Sequence, residues 1–291
     1  MFSVSALAGA AFVRVVPACT VAEIDITNRR CPCVDVSWQC VDGMCVQALD
    51  AGEAGNGVDA GASSYAAAVL EDRPVAYWRL GERSGAVAKD ELGRTPGTYS
   101  AGITLGQAGA VGDGDTAVAV GAGRLEIGDV FPFSETSSFS VELWVKPSLN
   151  DENVRFIFER GTLGTGENES GYTLRFAGAG SPFMEFLRFC ATNDAGENGA
   201  TYLVGGFASD HFRHVVTTYD GSRAALYLDG KLERAASTSV SCPSRPGVLV
   251  FGDRARGQTF KFEGALDEVA IYDKALLPGR VQRHYDAAQR R

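Results

Sequence analysis

Long hydrophobic segments, basic charge and catalytic motifs are all scarce in this sequence. Beyond residues 1–18, no stretch of the 291 residues is apolar enough to cross a membrane. Lys and Arg number 27 against 36 Asp and Glu, and the resulting net charge of -9 argues against nucleic acid or an anionic membrane surface as a partner. No P-loop, G-x-S-x-G nucleophile elbow or C-x-x-C pair occurs, and His211, His214 and His284 lack metal-ligand spacing. Nucleotide, serine-hydrolase and thiol-redox chemistry therefore have no motif here.

Amphipathic helical repeats are absent between the hydrophobic segments, which excludes a parallel α/β sheet. The segment 211–233, HFRHVVTTYDGSRAALYLDGKLE, instead holds two runs rich in β-branched and aromatic residues, 214–219 and 224–228, each followed by Asp-Gly. Asp-Gly supplies the positive φ that a tight hairpin turn needs. Consecutive antiparallel strands need a second layer over their buried face, so the sequence predicts an all-β sandwich.

Short strands recur along the large domain, separated by turns that contain Gly, Asn, Asp, Ser or Pro. The predicted strands are residues 75–80, 117–120, 124–127, 139–146, 154–159, 172–176, 183–189, 201–206, 214–219, 224–228, 248–251 and 261–272. Helices are predicted at 66–70, with Ser64 as N-cap, and at 278–289, where Pro278 suits the first turn.

The N-terminus has the composition of an export signal. Residues 1–18 are small and apolar, too few to span a membrane, and Val16-Pro17-Ala18-Cys19 resembles a bacterial lipobox, in which the signal is cut before a cysteine that carries lipid. We therefore expect an exported protein of the cell envelope, at the outer surface or in the periplasm, with Cys19 lipidated. Simple cleavage and a terminus with a free thiol are the alternatives.

The remaining six cysteines predict disulfides, because an exported protein meets an oxidising compartment. Cys31, Cys33, Cys40 and Cys45 have the spacing C-x-C-x6-C-x4-C, and the single residue between the first two disfavours a zinc site. Two connectivities stay open: the first cysteine with the third and the second with the fourth, or the first with the fourth and the second with the third.

The chain divides into segments of different composition. Residues 19–48 form a small disulfide-rich segment, and residues 49–64, rich in Gly, Ala and Asp, form a flexible linker. Residues 65–291 form the large domain, in which we expect Cys190 to pair with Cys242.

Four motifs follow one another in an order that resembles laminin-G-like, concanavalin A-like jelly-roll domains of bacterial exported proteins: VAYWRLGERSGAVAKDELGRTPGTY, SFSVELWVKP, RHVVTTYDGSRAALYLDGKL and FEGALDEVAIYDKALLPGRVQRHY. The resemblance covers residues 65–288 and departs at Phe212, where the family often has Trp. It implies an antiparallel β-sandwich of two curved sheets, and a ligand that is a glycan or a protein. Fold by itself does not decide function.

The resemblance also implies a structural Ca²⁺ where the first and last strands lie side by side. Its ligands would be Asp90 and Asp267, with Glu82 or Glu268 as the third, since Ca²⁺ prefers carboxylate and carbonyl oxygens. In the alternative, Asp90 caps a turn while Asp267 and Glu268 bind backbone donors near a strand edge. No D-x-D-x-D-G loop supports the ion independently.

Glu142, Glu159 and Glu185 are candidate carboxylates for glycoside hydrolysis, which needs an acid and a partner across one cleft. The E-x-D-x-x-E strand motif of laminarinase-type enzymes, which share this architecture, is absent. Glu142 alternates with Val141 and Leu143, so we expect it to face solvent. The sequence therefore favours a protein that is not an enzyme.

Other candidates have simpler interpretations. Trp78 and Trp144 lie in apolar strands and are expected in the core, whereas His214 is expected at the surface. Recognition is expected on the irregular loops 161–171 and 193–200, because rigid scaffolds carry binding residues on loops; the alternative is that these loops are merely variable turns.

These observations lead to one main hypothesis. The chain is expected to be a non-catalytic binding module of the cell envelope whose partner is a glycan or a surface protein, and whose only link to a membrane is the N-terminal lipid. A structural or adhesion protein with no small ligand is the alternative, and a glycoside hydrolase is the third hypothesis.

Overall fold

The computed structural model describes residues 38–41, 44–47, 64–134, 136–148, 154–161, 169–177, 183–186, 188–192, 196–199, 211–237, 246–255 and 261–290. The chain forms two compact units, Met1–Gly55 and Asn56–Arg291. In the first unit, strands β1 (Trp38–Val41) and β2 (Met44–Gln47) form an antiparallel hairpin. Every predicted disulfide, the lipid site Cys19 and the predicted strand 201–206 lie outside the residues whose side chains are described.

The second unit consists of strands with a short helix at each end of the described chain. Helix α1 spans Tyr65–Glu71 and helix α2 spans Pro278–Gln289. The strands between them are β3 (Ala76–Trp78), β4 (Val87–Ala88), β5 (Gly97–Tyr99), β6 (Ile103–Ala108), β7 (Thr116–Val120), β8 (Leu125–Gly128), β9 (Phe139–Pro147), β10 (Val154–Gly161), β11 (Glu169–Ala177), β12 (Phe183–Phe186), β13 (Arg188–Thr192), β14 (Gly196–Gly199), β15 (Arg213–Tyr219), β16 (Arg223–Leu228), β17 (Lys231–Ser237), β18 (Val248–Phe251) and β19 (Gly264–Tyr272). No helix among these described residues is long and apolar enough to cross a membrane.

The strands form two sheets whose neighbouring strands run antiparallel. The eight-stranded sheet has the order β17-β16-β15-β9-β19-β7-β6, with β3 paired to β19. The nine-stranded sheet has the order β14-β13-β11-β10-β18-β8-β5-β4, with β12 paired to β11. Many neighbours are distant in sequence, as when β9 lies between β15 and β19. The predicted antiparallel β-sandwich is confirmed.

The hairpin of β15 and β16 forms where the sequence predicts it. Val215 lies opposite Leu228 and Tyr219 opposite Ala224. In the turn, Gly221 has φ +94°, a conformation that glycine adopts without strain. The Asp220 Oδ1 atom accepts hydrogen bonds from the backbone N–H groups of Ser222 and Arg223, at 2.9 and 2.7 Å, which closes the turn.

A continuous hydrophobic core fills the space between the sheets. Trp78, Phe139, Phe158 and Phe251 are all completely buried there, and each such side chain contributes about 1.5–3 kcal/mol by leaving water. The Trp78 indole N–H donates to the Thr95 carbonyl at 2.7 Å, so its one polar atom is satisfied. The predicted core position of Trp78 is confirmed.

A second hydrophobic cluster lies on the outer face of the eight-stranded sheet, under the two helices. It joins residues of α1, the sheet and α2: Tyr65, Val69, Tyr77, Trp144, Val216, Tyr272, Val281 and others. Ser64 caps α1 by accepting from the Ala67 N–H at 3.2 Å, as predicted. Arg280 of α2 donates to Asp72, just after α1, at 2.7 Å. The two helices therefore form a third layer, which buries both faces of the central strands.

Candidate functional site

Three buried polar side chains, Glu142, His214 and His284, meet at the outer face of the eight-stranded sheet, beneath α2. Side chains alternate along a strand, so Glu142 and Trp144 of β9 share this face while Val141 and Leu143 point into the inter-sheet core. His214 of β15 lies directly opposite Trp144 in the register. The layer formed by α2 covers this face and brings His284 into contact with Glu142, 142 positions away in the sequence.

Glu142 is at the centre of a fully buried hydrogen-bond network. Its Oε1 accepts from the Tyr65 hydroxyl at 2.8 Å and lies 2.8 Å from His214 Nε2. Its Oε2 accepts from the Tyr272 hydroxyl at 2.7 Å and lies 3.0 Å from His284 Nδ1. Burial by itself raises the pKa of Glu142, but the His284 charge and the hydrogen bonds from both histidines outweigh it, so the pKa lies well below its usual value.

His284 of α2 lies between two carboxylates. Its Nε2 is 2.9 Å from Asp72 Oδ2, while Nδ1 faces Glu142. Burial lowers the pKa of His284, but attraction to Glu142 and the hydrogen bond to Asp72 outweigh it and raise the pKa to about 9. At neutral pH the imidazole is therefore charged, and it joins the region after α1 to the central strand β9.

Two expectations from the sequence are wrong at this network. Glu142 and His214 were expected to face solvent, and both are completely buried. The alternation correctly places Glu142 away from the inter-sheet core, but α1 and α2 cover that face. The sequence signal that could have predicted this burial is the pair of apolar residues Val281 and Ala288 in α2, because an apolar helix face requires a surface to pack against.

A second polar cluster joins β3 to β19. The Tyr77 hydroxyl donates to Glu268, and Arg79 Nε donates to the other Glu268 oxygen at 3.1 Å. Arg79 also forms an ion pair with Asp115 at 3.0 Å. Burial raises the pKa of Glu268 to about 7, and the hydrogen bonds from Arg79 and Tyr77 limit that rise.

Asp267, next to Glu268, is buried with one unsatisfied oxygen. Its Oδ2 accepts from the Ala110 N–H at 2.7 Å, whereas Oδ1 is buried without a hydrogen-bond partner. Burial and the neighbouring Glu268 raise the pKa of Asp267 well above its usual value. The protonated carboxyl is thereby favoured, which lowers the cost of burying it.

Asp90 organises the loop that follows β4. It accepts hydrogen bonds from the backbone N–H groups of Tyr77, Leu92, Arg94 and Thr95 and from the Thr95 hydroxyl, at 2.9–3.1 Å. Burial raises the pKa of Asp90, but these backbone donors outweigh it and lower the pKa. The capping arrangement given as the alternative is therefore present.

The three carboxylates assigned to Ca²⁺ do not converge on one point. Within the part of the chain that the structure describes, no group of three or more His, Cys, Asp or Glu residues is arranged to hold a metal ion. Ca²⁺ requires six to eight oxygen ligands, whereas only Oδ1 of Asp267, among the oxygens of Asp90, Asp267 and Glu268, lacks a hydrogen-bond partner. Glu82 is likewise engaged, with the Lys89 N–H and the Tyr99 hydroxyl. Calcium binding stays a prediction.

A cavity of about 530 Å³ opens beside the Glu142 network, between β9, α2 and the approach to β15. Aromatic side chains form much of its wall: Trp144 stacks on Tyr285 of α2 with ring centroids 6.0 Å apart, and Phe212 lies under Lys146 Nζ, 5.2 Å from the ring centroid. The other lining residues are Ala108, Gly109, Ala110, His211, Asp229 and Gln289. We name this site the α2 cavity.

Two polar side chains of the α2 cavity differ in how well they are satisfied. Asp229 accepts from the His214 N–H at 3.0 Å and from Arg213 Nε at 2.5 Å, so both of its oxygens are engaged. The Trp144 indole Nε1, by contrast, is buried without a hydrogen-bond partner. Trp144 is nevertheless largely buried, at 3% exposure, as the sequence predicts.

The α2 cavity was not among the sites expected from the sequence. Recognition was expected on loops 161–171 and 193–200. Residues 162–168, 193–195 and 200 lie outside the described residues, whereas residues 169–171 begin β11 and residues 196–199 form β14, so those parts are strands and not loops. One signal for the cavity was present: Trp144 and Lys146 occupy alternate positions of β9, on the face opposite Leu143 and Val145.

Known proteins of similar structure share the fold of this chain. No curated protein sequence matches the chain significantly. Trypanosoma rangeli sialidase has a similar structure, with a TM-score of 0.52 and 12% identity over 72% of this chain and 32% of the sialidase, so this chain corresponds to about a third of that enzyme. The binding domain of Paraclostridial Mosquitocidal Protein 1 is similar at a TM-score of 0.52 and 15% identity, over 75% of this chain and 53% of that one. At these identities the likeness shows the fold alone.

The sequence itself matches a family profile, which is described as the concanavalin A-like lectin/glucanases superfamily, over residues 115–282. The match covers more than half of the chain and includes β9, the hairpin of β15 and β16, β19 and the start of α2. The chain belongs to the laminin-G-like branch of the concanavalin A-like lectin/glucanases superfamily.

Proposed function

We propose that this protein is a non-catalytic binding module of the cell envelope and that its ligand is a glycan. The observation that carries the proposal is the α2 cavity, in which aromatic rings line a concave site beside polar side chains. Ligand sites combine apolar surface with polar groups that orient the ligand, and a sugar ring offers a surface for both. Membership of a superfamily that includes lectins supports the same ligand class.

The environment of Glu142 supports a non-catalytic role. Both of its oxygens are engaged by buried tyrosine and histidine side chains, so it is closed to a substrate. Glu159 accepts from the Ala255 N–H at 2.5 Å and lies 3.7 Å from Arg254. Glycoside hydrolysis needs two carboxyl groups that face one sugar, and neither of these residues is free for that work.

A glycan array probed with the full chain, with and without EDTA, tests the proposal. We expect binding to a defined group of glycans, and loss of that binding in EDTA would also support the predicted Ca²⁺. A blank array would contradict glycan binding and favour a surface protein as the ligand. Steady release of reducing ends from polysaccharides would contradict the non-catalytic role.

Display at the envelope is tested by mass spectrometry of the mature N-terminus. An unmodified Cys19 would contradict the lipid anchor.

A further inference from the structure

We propose that the α2 cavity binds a carboxylate-bearing sugar unit, with the sugar ring against the aromatic wall and the carboxylate at Lys146. This inference rests on the proposed function and specifies its ligand. The volume of about 530 Å³ lies within the range of small-ligand sites and is sufficient for one or two sugar rings.

The wall of the cavity suits a sugar ring. Phe212 and Tyr285 contribute partly buried aromatic rings to one concave site, and the almost completely buried Trp144 supports Tyr285 by stacking on it. Such rings bury large apolar areas and carry a negative face, and the C–H groups on one side of a pyranose ring are the complementary surface. Phe212 and Tyr285 are only partly buried, so a ligand can reach them.

The charged side chains of the cavity include a lysine without an anionic partner. Lys146 contacts the Phe212 ring and has no ion pair within the described residues. Asp229, the acidic residue of the wall, is already neutralised by Arg213. A negatively charged ligand would supply the partner that Lys146 lacks.

The site is also held in place before any ligand arrives. Trp144 is two residues from Glu142 on the same strand face, and Tyr285 follows His284 on α2. The Glu142–His284 contact at 3.0 Å therefore fixes the two stacked aromatic residues relative to each other. Preorganisation of this kind reduces the entropic cost of binding.

Matched pairs of methyl glycosides test the charge requirement. Methyl glucuronoside and methyl galacturonoside differ from methyl glucoside and methyl galactoside only in the carboxylate at C6. Titrated calorimetrically into the full chain at low salt, the acidic member of each pair is expected to bind about tenfold more tightly. Its advantage should diminish as salt is raised, because Lys146 is partly exposed to solvent.

Variants locate the binding site. Lys146→Gln removes the charge and leaves a polar side chain that is one bond shorter, so the acidic glycoside should bind about as weakly as its neutral partner. Phe212→Ala should weaken both members of a pair. Lys89→Gln, at an exposed lysine outside the cavity, is the matched control and should leave binding unchanged.

The outcomes separate this inference from the proposed function. Glycan binding that ignores the carboxylate, or that survives both Lys146→Gln and Phe212→Ala in folded protein, overturns the α2 cavity assignment and leaves the binding-module proposal intact. If the wild-type protein binds no glycan on the array and no glycoside, both proposals are wrong.

Discussion

Glu142 shows how one carboxylate can organise several parts of a fold. It receives contacts from α1 through Tyr65, from β15 through His214, from β19 through Tyr272 and from α2 through His284. A buried charge of this kind is tolerated only because every lone pair has a partner. Removal of the charge therefore affects all four elements together.

Glu142→Gln is expected to destabilise the protein by about 3–5 kcal/mol, because the charged His284 loses a buried counterion. Urea unfolding followed by tryptophan fluorescence measures the change. Glu126→Gln is the matched control: Glu126 pairs with Arg124 on the surface of β8, where loss of an ion pair costs less than about 1 kcal/mol. Equal stability of the two variants would contradict the role given to Glu142.

At the scale of the single element, the hairpin of β15 and β16 depends on its turn glycine. Gly221 has φ +94°, a region that alanine enters only at a cost. Gly221→Ala is expected to destabilise the protein by about 1–2 kcal/mol, measured as a shift in the urea midpoint. Gly121→Ala is the control, because the added methyl group there meets only the Gly102 carbonyl oxygen at an ordinary 3.5 Å. An unchanged urea midpoint in Gly221→Ala would show that the turn does not require a positive φ.

Strands with a strong local pattern were predictable, and strands without one were not. The prediction for β9 covered residues 139–146 of the observed Phe139–Pro147, and that for β18 was 248–251, because apolar β-branched and aromatic residues fill both. The sequence analysis missed β4, β5, β6, β14 and β17. Gly106, with φ +69°, interrupts β6, and β17 is a charged edge strand, KLERAAS, whose composition suits solvent rather than a core.

At the scale of the whole molecule, stability should depend on the charge of His284. Its pKa rises from 6.5 to about 9 in the folded protein. Its contribution is therefore fully present below pH 6.5 and is lost as pH rises to about 9. The difference in unfolding free energy between wild type and His284→Gln should shrink by on the order of 3 kcal/mol across that window.

An NMR titration of the wild-type imidazole provides an independent check on this dependence, since it needs no variant that must fold. The His284 ring signals should titrate with a midpoint near 9. A midpoint near 6.5, the ordinary histidine value, would mean that Glu142 and Asp72 do not hold the charge in place.

The sequence by itself determined the antiparallel sandwich, the two terminal helices and the family, because strand alternation, Asp-Gly turns and helix caps are local signals that survive without knowledge of contacts. Only the tertiary structure decided what covers the outer face of β9. There α1 and α2, from opposite ends of the domain, pack against each other and against the sheet. Their packing buries Glu142, which points away from the inter-sheet core, and places Trp144 in the wall of a cavity. The physical reason is that burial depends on packing between residues such as Glu142 and His284, which are 142 positions apart, and no local pattern in the chain records that packing.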